Sequence, residues 1–295
     1  MAAQFIVAFA NRKGGVGKTT SAVNVAGVVA AAGQRVLLVD LDQQDSCGEL
    51  LGQPESDGRA LLEALTSGTD ALVLRDVRPN LDLVPSGVDL GELPERMWRV
   101  DDPWTEVATN LARVIDEAGE YDLVVIDTPP GDILLTRAAM AVARHLVIPV
   151  KASRMSLSAL KRTAGIFVQA RDSNPELRLA GTFFFDVDRA ATAVNADKRA
   201  ELERILGDAA PVFQTMIHHS PKYDSVAGDR GLLAYELQDL SEEARGQIFA
   251  ALRKGKTGES APRNAFVGTA ASIASDYQAL TVEILTTIRQ HQAGE

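Results

Sequence analysis

The run Asn11-Arg12-Lys13-Gly14-Gly15-Val16-Gly17-Lys18-Thr19-Thr20 leaves this chain few folds to adopt. It stands between the apolar stretch Phe5–Phe9, which reads as a buried strand, and an Ala/Val-rich segment over 19–32, which reads as a helix closed by Gly33. A strand, a glycine-rich turn and a helix in that order form the setting of a phosphate-binding loop. Glycines let backbone N–H groups wrap closely around phosphate oxygens, and the helix N-terminus adds positive potential. Gly14, Gly15, Val16 and Gly17 would line such a loop. Lys18 is placed to reach the β- and γ-phosphates, Thr19 to ligate Mg²⁺ and Thr20 to meet the α-phosphate. A plain glycine-rich turn with solvated lysines would not need a strand before it and a helix after it.

The rest of the chain alternates short apolar runs with helical patterns, the signature of a mainly parallel sheet flanked by helices. Strands are expected over 36–39, 81–84, 123–126, 145–148, 179–185 and 212–217, with Pro149 stopping the fourth of these. Helices are expected over 59–66, 104–118, 133–142, 156–170, 193–206, 241–253 and 265–290. The fold class is thus α/β, with one nucleotide-binding domain over 1–240 and a helical C-terminal extension, 241–295, packed on it.

Composition narrows the setting. The chain has 295 residues, enough for a sizeable core, and 46% of them are hydrophobic. No apolar run reaches bilayer length, and no basic leader precedes the first strand, so a cytoplasmic protein is expected. Cys47 is the sole cysteine, which excludes an internal disulfide and a cysteine-bridged cluster; it reads as a small loop residue. A net charge of −10 means that any binding to DNA must rest on a local basic patch.

Arg12 stands where the usual phosphate loop has its first glycine, and Lys13 follows. This Lys-Gly-Gly-x-Gly-Lys-Thr arrangement is the deviant Walker A motif, and the chain resembles the ParA/MinD family of ATPases. Two further stretches carry the resemblance: Arg35-Val36-Leu37-Leu38-Val39-Asp40-Leu41-Asp42, and Tyr121-Asp122-Leu123-Val124-Val125-Ile126-Asp127-Thr128-Pro129-Pro130. Carboxylates at strand C-termini fall on the ligand side of an open parallel sheet. The resemblance implies that Asp127 holds Mg²⁺ through water, that Asp40 orders the metal's water shell and that Asp42 orients the attacking water. It also implies that Lys13 crosses a dimer interface to the partner's nucleotide. The family pattern Asp-Leu-Asp-Pro-Gln-Gly is broken here, because Gln43 replaces the proline and Asp45 the glycine. An extra carboxylate therefore sits near the site.

A ParA-like ATPase would bind ATP and Mg²⁺, form a homodimer in the ATP state and bind DNA non-specifically. It would be nucleoid-associated when ATP-bound, and work with a ParB-like centromere-binding partner to segregate or position plasmid or chromosomal DNA. No helix-turn-helix is expected ahead of a first strand that begins almost at Met1. Candidate DNA contacts are Lys222, read as part of the loop after the last strand, and Arg253, Lys254 and Lys256. Lys198, Arg199 and Arg204 alternate with Glu201 and Glu203, and read as a self-neutralised face. His218 and His219 read as ordinary loop residues with no acidic partner. A MinD-like membrane cycle would need a basic amphipathic C-terminal helix, whereas 276–295 carries Arg289 as its only lysine or arginine. A conjugation or chromosome-organisation ATPase on the same fold is the other alternative.

Overall fold

The computed structural model describes residues 5–151, 154–207, 210–253 and 270–293; side chains are described throughout these except at 154–159, 161, 222, 224, 244–253 and 270. The chain runs β1 (Phe5–Phe9), α1 (Lys18–Ala31), β2 (Val36–Asp40), α2 (Ser46–Leu50), α3 (Arg59–Ser67), β3 (Leu74–Arg78) and β4 (Leu81–Val84). A 3₁₀ turn over Val88–Glu92 leads into α4 (Leu93–Arg96), α5 (Pro103–Ala118), β5 (Leu123–Asp127), α6 (Ile133–Val142) and β6 (His145–Val150). Then follow α7 (Arg154–Ser173), β7 (Arg178–Val187), α8 (Thr192–Leu206), β8 (Val212–His218), α9 (Pro221–Arg230), α10 (Ala234–Arg253) and α11 (Ala270–Ala293).

The strands form one sheet in the order β3-β4-β2-β5-β1-β6-β7-β8. Every pairing is parallel except β3 with β4. Helices cover both faces, so the central strands are buried on both sides and read as unbroken apolar runs. Their alternation divides the core in two. Leu37, Val39, Val124, Ile126, Leu146 and Ile148 face α3, α5, α6 and α7. Val36, Leu38, Val125 and Val147 face α1, α9, α10 and α11.

Among the elements that differ from what the sequence suggests are β3, β6 and α9. β3 carries Arg75, Asp76 and Arg78, a charged edge strand that shows no apolar run. Its return to β4 turns through Asn80, which holds a left-handed φ of 65°. Pro149 does not stop β6, which continues to Val150. By then β6 has left β1, whose pairing ends at Val147, so no ladder bond on that side is lost to the missing N–H. Lys222 lies in the first turn of α9 rather than in a loop, because Ser220 caps that helix by accepting from the Tyr223 N–H and Pro221 opens it.

α10 runs without interruption through residue 240. α11 lies against α1, α10 and β8, and buries Ile273, Tyr277, Leu280, Ile284 and Ile288 in the same apolar layer as Val23 and Val29 of α1. It also closes a sheet edge: Glu283 accepts the Gln214 N–H at 2.6 Å and the Thr215 N–H at 2.8 Å, amides that β8 would otherwise offer unpaired. If α11 is part of the core, Leu280→Ala will destabilise the whole protein by about 2–5 kcal/mol, the usual cost of an aliphatic truncation in a packed interior. Denaturant unfolding should show a lowered midpoint in a single transition; a separate early transition would mean that α11 is only loosely attached.

Candidate functional site

The site is built where β1, β2 and β5 end. Register places Asp40 of β2 opposite Asp127 of β5, and Phe9 of β1 opposite Asp127 on the other side. The chain leaving β1 is held by two side chains. Thr128 donates its hydroxyl to the Phe9 carbonyl at 2.8 Å. Asn11 donates to the Pro149 carbonyl at 2.8 Å and accepts the Lys13 N–H at 3.0 Å. The loop then turns through Gly15 and Gly17, with left-handed φ of 67° and 83°. Gly17 is also pressed on the Phe185 ring, where a Cβ would come within 2.2 Å of a ring carbon, so this position needs glycine twice over.

Lys18 opens α1 and is 5% exposed. Burial lowers its ammonium from the ordinary range, while Asp127 and Asp42 pull it back up. An ammonium kept in such a place requires anionic company. Asp127 and Asp42 supply part of it, and Asp127 is fully buried, as is its neighbour Asp40. Asp40 accepts the Asp42 N–H at 2.8 Å and the Cys47 N–H at 2.9 Å. Asp127 accepts the Thr19 hydroxyl at 2.5 Å with one oxygen; the other is buried with no hydrogen-bond partner among the described residues. Burial, then the neighbouring Asp127, drives the Asp40 carboxyl well above the usual range. Burial likewise pushes Asp127 up to about 7, against the pull of Thr19 and Lys18. Asp42, 8% exposed, accepts the Gln44 N–H at 3.2 Å. A cleft of about 220 Å³ opens beside it, walled by Gln43, Leu90, Pro129, Pro130 and Asp132.

The structure thus brings together Lys18, Thr19, Asp40, Asp42 and Asp127. Lys13 is half-buried at the start of the loop, Thr20 sits one turn before Asn24, and Gly14 and Gly15 are exposed. Cys47, a bland loop residue by its sequence, lies instead in α2 with its N–H on Asp40 and its Sγ 3.9 Å from Asp127. Burial, then Asp40 and Asp127, pushes the thiol well up, so it faces the carboxylates as a neutral S–H and not as a thiolate. Nothing local in the sequence marks Cys47; its role depends on α2 folding back over β2. The extra carboxylate, Asp45, is turned to the Ser56 N–H at 3.1 Å. The two histidines do have acidic partners, brought from distant elements. His218 Nδ1 is 2.8 Å from Asp276 of α11, and His219 Nδ1 bonds Asp186 of β7, which also receives Lys151 Nζ at 2.6 Å.

Of the basic candidates, Lys198 and Arg199 are paired with Glu201 and Glu203 at 2.9 Å and 3.3 Å. Lys254 and Lys256 lie outside the described residues, as do the side chains of Lys222 and Arg253. No helix among the described residues is long and apolar enough to cross a membrane.

Comparison with known proteins agrees with this geometry. A protein-family model described as an AAA domain (AAA_31) matches residues 4–179. The chromosome partitioning protein ParA of Caulobacter vibrioides is 30% identical over 254 residues, 81% of this chain and 90% of its own length. The chromosome-partitioning ATPase Soj of Thermus thermophilus is 35% identical over 218 residues, 72% of this chain and 80% of its own. Among solved structures, the ATP complex of a Cyanothece McdA variant superposes with a TM-score of 0.68 at 24% identity, covering 80% of this chain and 91% of that one. At that identity the likeness shows the fold.

The raised Asp127 carboxyl has a consequence for stability. A carboxyl whose folded pKa lies above its unfolded value binds its proton more tightly when folded, so stability present at low pH is lost as pH rises towards about 7. Asp127→Asn removes that loss. Thermal unfolding of the ligand-free protein should show the variant gaining on wild type between pH 5 and pH 8, and a constant difference across that range would contradict the electrostatic account.

Proposed function

The chain belongs to the family of ParA-like ATPases, and we propose that it works as an ATP-driven dimerising switch that segregates or positions plasmid or chromosomal DNA. The observation that carries this reading is the buried Lys18, held between Asp127 and Asp42 at the mouth of a glycine loop. A cation in that place is poised for the polyphosphate of ATP, where it would offset the negative charge that phosphoryl transfer develops.

In this reading Gly14, Gly15, Val16, Gly17 and Thr20 cradle the phosphates, and Lys18 neutralises charge on the β- and γ-groups. Thr19, Asp127 and Asp40 fit a Mg²⁺ ion: all three offer hard oxygen donors, and one Asp127 oxygen is buried without a protein partner among the described residues. Bound there, Mg²⁺ would supply positive charge to offset that of the phosphates. Asp42, at the rim of the cleft, orients the attacking water, a task of positioning more than of base strength. In this reading residues 1–240 form the ATPase unit and residues 241–295 extend it.

Lys13 acts across the dimer on the partner's nucleotide, so ATP and dimerisation are coupled. DNA is held without sequence preference by Lys222 with Arg253, Lys254 and Lys256, a small patch doubled by dimerisation. Two weak patches on one rigid body raise each other's effective concentration. The protein is then cytoplasmic, gathers on the nucleoid when ATP-bound and is released by a ParB-like partner. Support for this comes from the names of its relatives, the two partitioning proteins of Caulobacter and Thermus.

Sedimentation with ATP and Mg²⁺ should show a wild-type dimer and a Lys13→Ala monomer that still binds nucleotide; a Lys13→Ala dimer with wild-type turnover would refute the cross-interface role. Charge reversal of Lys222, or of Arg253, Lys254 and Lys256 together, should abolish binding to random-sequence duplex while leaving ATP-driven dimerisation intact. Each lost phosphate contact should flatten the salt dependence by about one unit of slope. Wild type that binds no duplex at low salt with ATP, but does bind anionic liposomes, would replace DNA by a membrane as the surface.

A further inference from the structure

Asp45 departs from the family pattern, and the structure gives that departure a physical form. Its backbone keeps a left-handed conformation, φ 48° and ψ 38°, the region that glycine enters freely and aspartate tolerates. The turn thus holds a conformation open to glycine while carrying a carboxylate. Asp45 stands at the N-cap position of α2, yet its carboxylate makes no capping bond. Instead Oδ2 reaches eleven residues along the chain to the Ser56 N–H, at 3.1 Å, in a setting where Asp45 is only 6% exposed.

That bond closes a ring of three loops, one of which carries Asp42. Within the first loop, the Asp45 N–H donates to the Asp42 carbonyl at 3.0 Å and the Gln44 N–H to the Asp42 carboxylate at 3.2 Å. The second loop, 56–58, meets the third through the Asp89 N–H on the Asp57 carbonyl at 2.9 Å. It meets it again where Gly58 and Gly87 touch: a Cβ on Gly87 would stand 2.3 Å from the Ser56 carbonyl oxygen. The third loop returns to the first at Gly91, where a Cβ would lie 2.6 Å from Gln43 Oε1. Gln43 and Asp45, the two departures from the motif, thus both place their side chains against the other loops. Gly48 fits the same pattern, since a Cβ there would fall 2.8 Å from both Asp45 oxygens.

We propose that Asp45 is a positioning residue for hydrolysis, holding the loop that carries Asp42 by clasping Ser56 from within a left-handed turn. This rests on the reading of Asp42 as the residue that orients the attacking water. The Asp45 carboxylate is bonded to Ser56 and not to the phosphate loop or the Asp40–Asp127 pair, so its effect falls on turnover and not on ATP binding. The acceptor oxygen is what matters, and asparagine retains one.

The test is steady-state ATP hydrolysis by the full chain and its Asp45→Ala, Asp45→Asn, Gly48→Ala and Asp42→Ala variants, with ATP affinity measured for each. Asp45→Ala should lower kcat by about ten- to a hundredfold, the scale of a small misplacement of a reacting group, with KM changed less than about twofold. Asp45→Asn should restore kcat to within about twofold of wild type, because its side-chain oxygen still accepts the Ser56 N–H. Gly48→Ala displaces the carboxylate without altering it and should reproduce the loss; it keeps the test open if Asp45→Ala does not fold, since alanine is favoured in a helix. If Asp42→Ala is inactive while Asp45→Ala and Gly48→Ala turn over like wild type, the clasp is irrelevant and this inference is wrong. An Asp45→Asn variant as slow as Asp45→Ala would show that the charge itself is needed, which also overturns it. If Asp42→Ala keeps wild-type turnover, the underlying reading of Asp42 fails instead.

Discussion

Asp40 and Asp127 stand side by side because β2 and β5 are neighbours in parallel register, and both carboxylates are sealed from water. Two like charges at such a distance in a dry place repel strongly, and the desolvation of each costs several kcal/mol. The protein reduces this with what it can supply: the Thr19 hydroxyl, the Asp42 and Cys47 N–H groups and the Lys18 ammonium nearby. It does not remove it, since both carboxyls remain displaced upward. Much of the local architecture follows from that remainder. The phosphate loop must bring Lys18 inward, α2 must fold back over β2, and one Asp127 oxygen is left available for a further positive partner.

The sheet makes this arrangement rigid. Its central strands are clamped by two apolar layers, so the ends of β1, β2 and β5 are held in place by burial on both faces. α11 belongs to that clamp, because its side chains fill the layer under α1 while Glu283 caps the amides of β8. Asn24 extends the link from the first helix: it donates to the Thr20 carbonyl at 2.8 Å and accepts the Ala234 N–H of α10 at 2.9 Å. The helix that begins at Lys18 is therefore bonded directly to the C-terminal helices. Packing and a direct hydrogen bond thus tie the start of this helix to α10.

Much of this is legible in the residues alone. The glycine loop, its strand and its helix announce themselves through spacing, and the strands before Asp40 and Asp127 through apolar runs that only a doubly covered parallel sheet tolerates. Lys18, Thr19, Asp40, Asp42 and Asp127 are identifiable by position relative to those strands, and the structure brings them to one place. β3 is hidden because an edge strand bearing three charged residues has no apolar signature. α9 is hidden because its polar first turn reads as more loop, despite Ser220-Pro221 at its start.

What sequence determined by itself is therefore local: chemistry written in a few adjacent residues, such as glycines that permit positive φ or a carboxylate at the end of a buried strand. What only the tertiary structure decided are contacts between residues far apart in the chain. Asp45 with Ser56, Cys47 with Asp127, Phe185 beneath Gly17, His218 with Asp276 and His219 with Asp186 are all of this kind. No periodicity encodes such pairs, because each exists only after the sheet has set the distance between two loops. The same physics explains why Asp45 reads as a spare carboxylate in the sequence and as a clasp in the fold. Its partner is a backbone N–H, which every residue but proline carries and which no sequence pattern singles out.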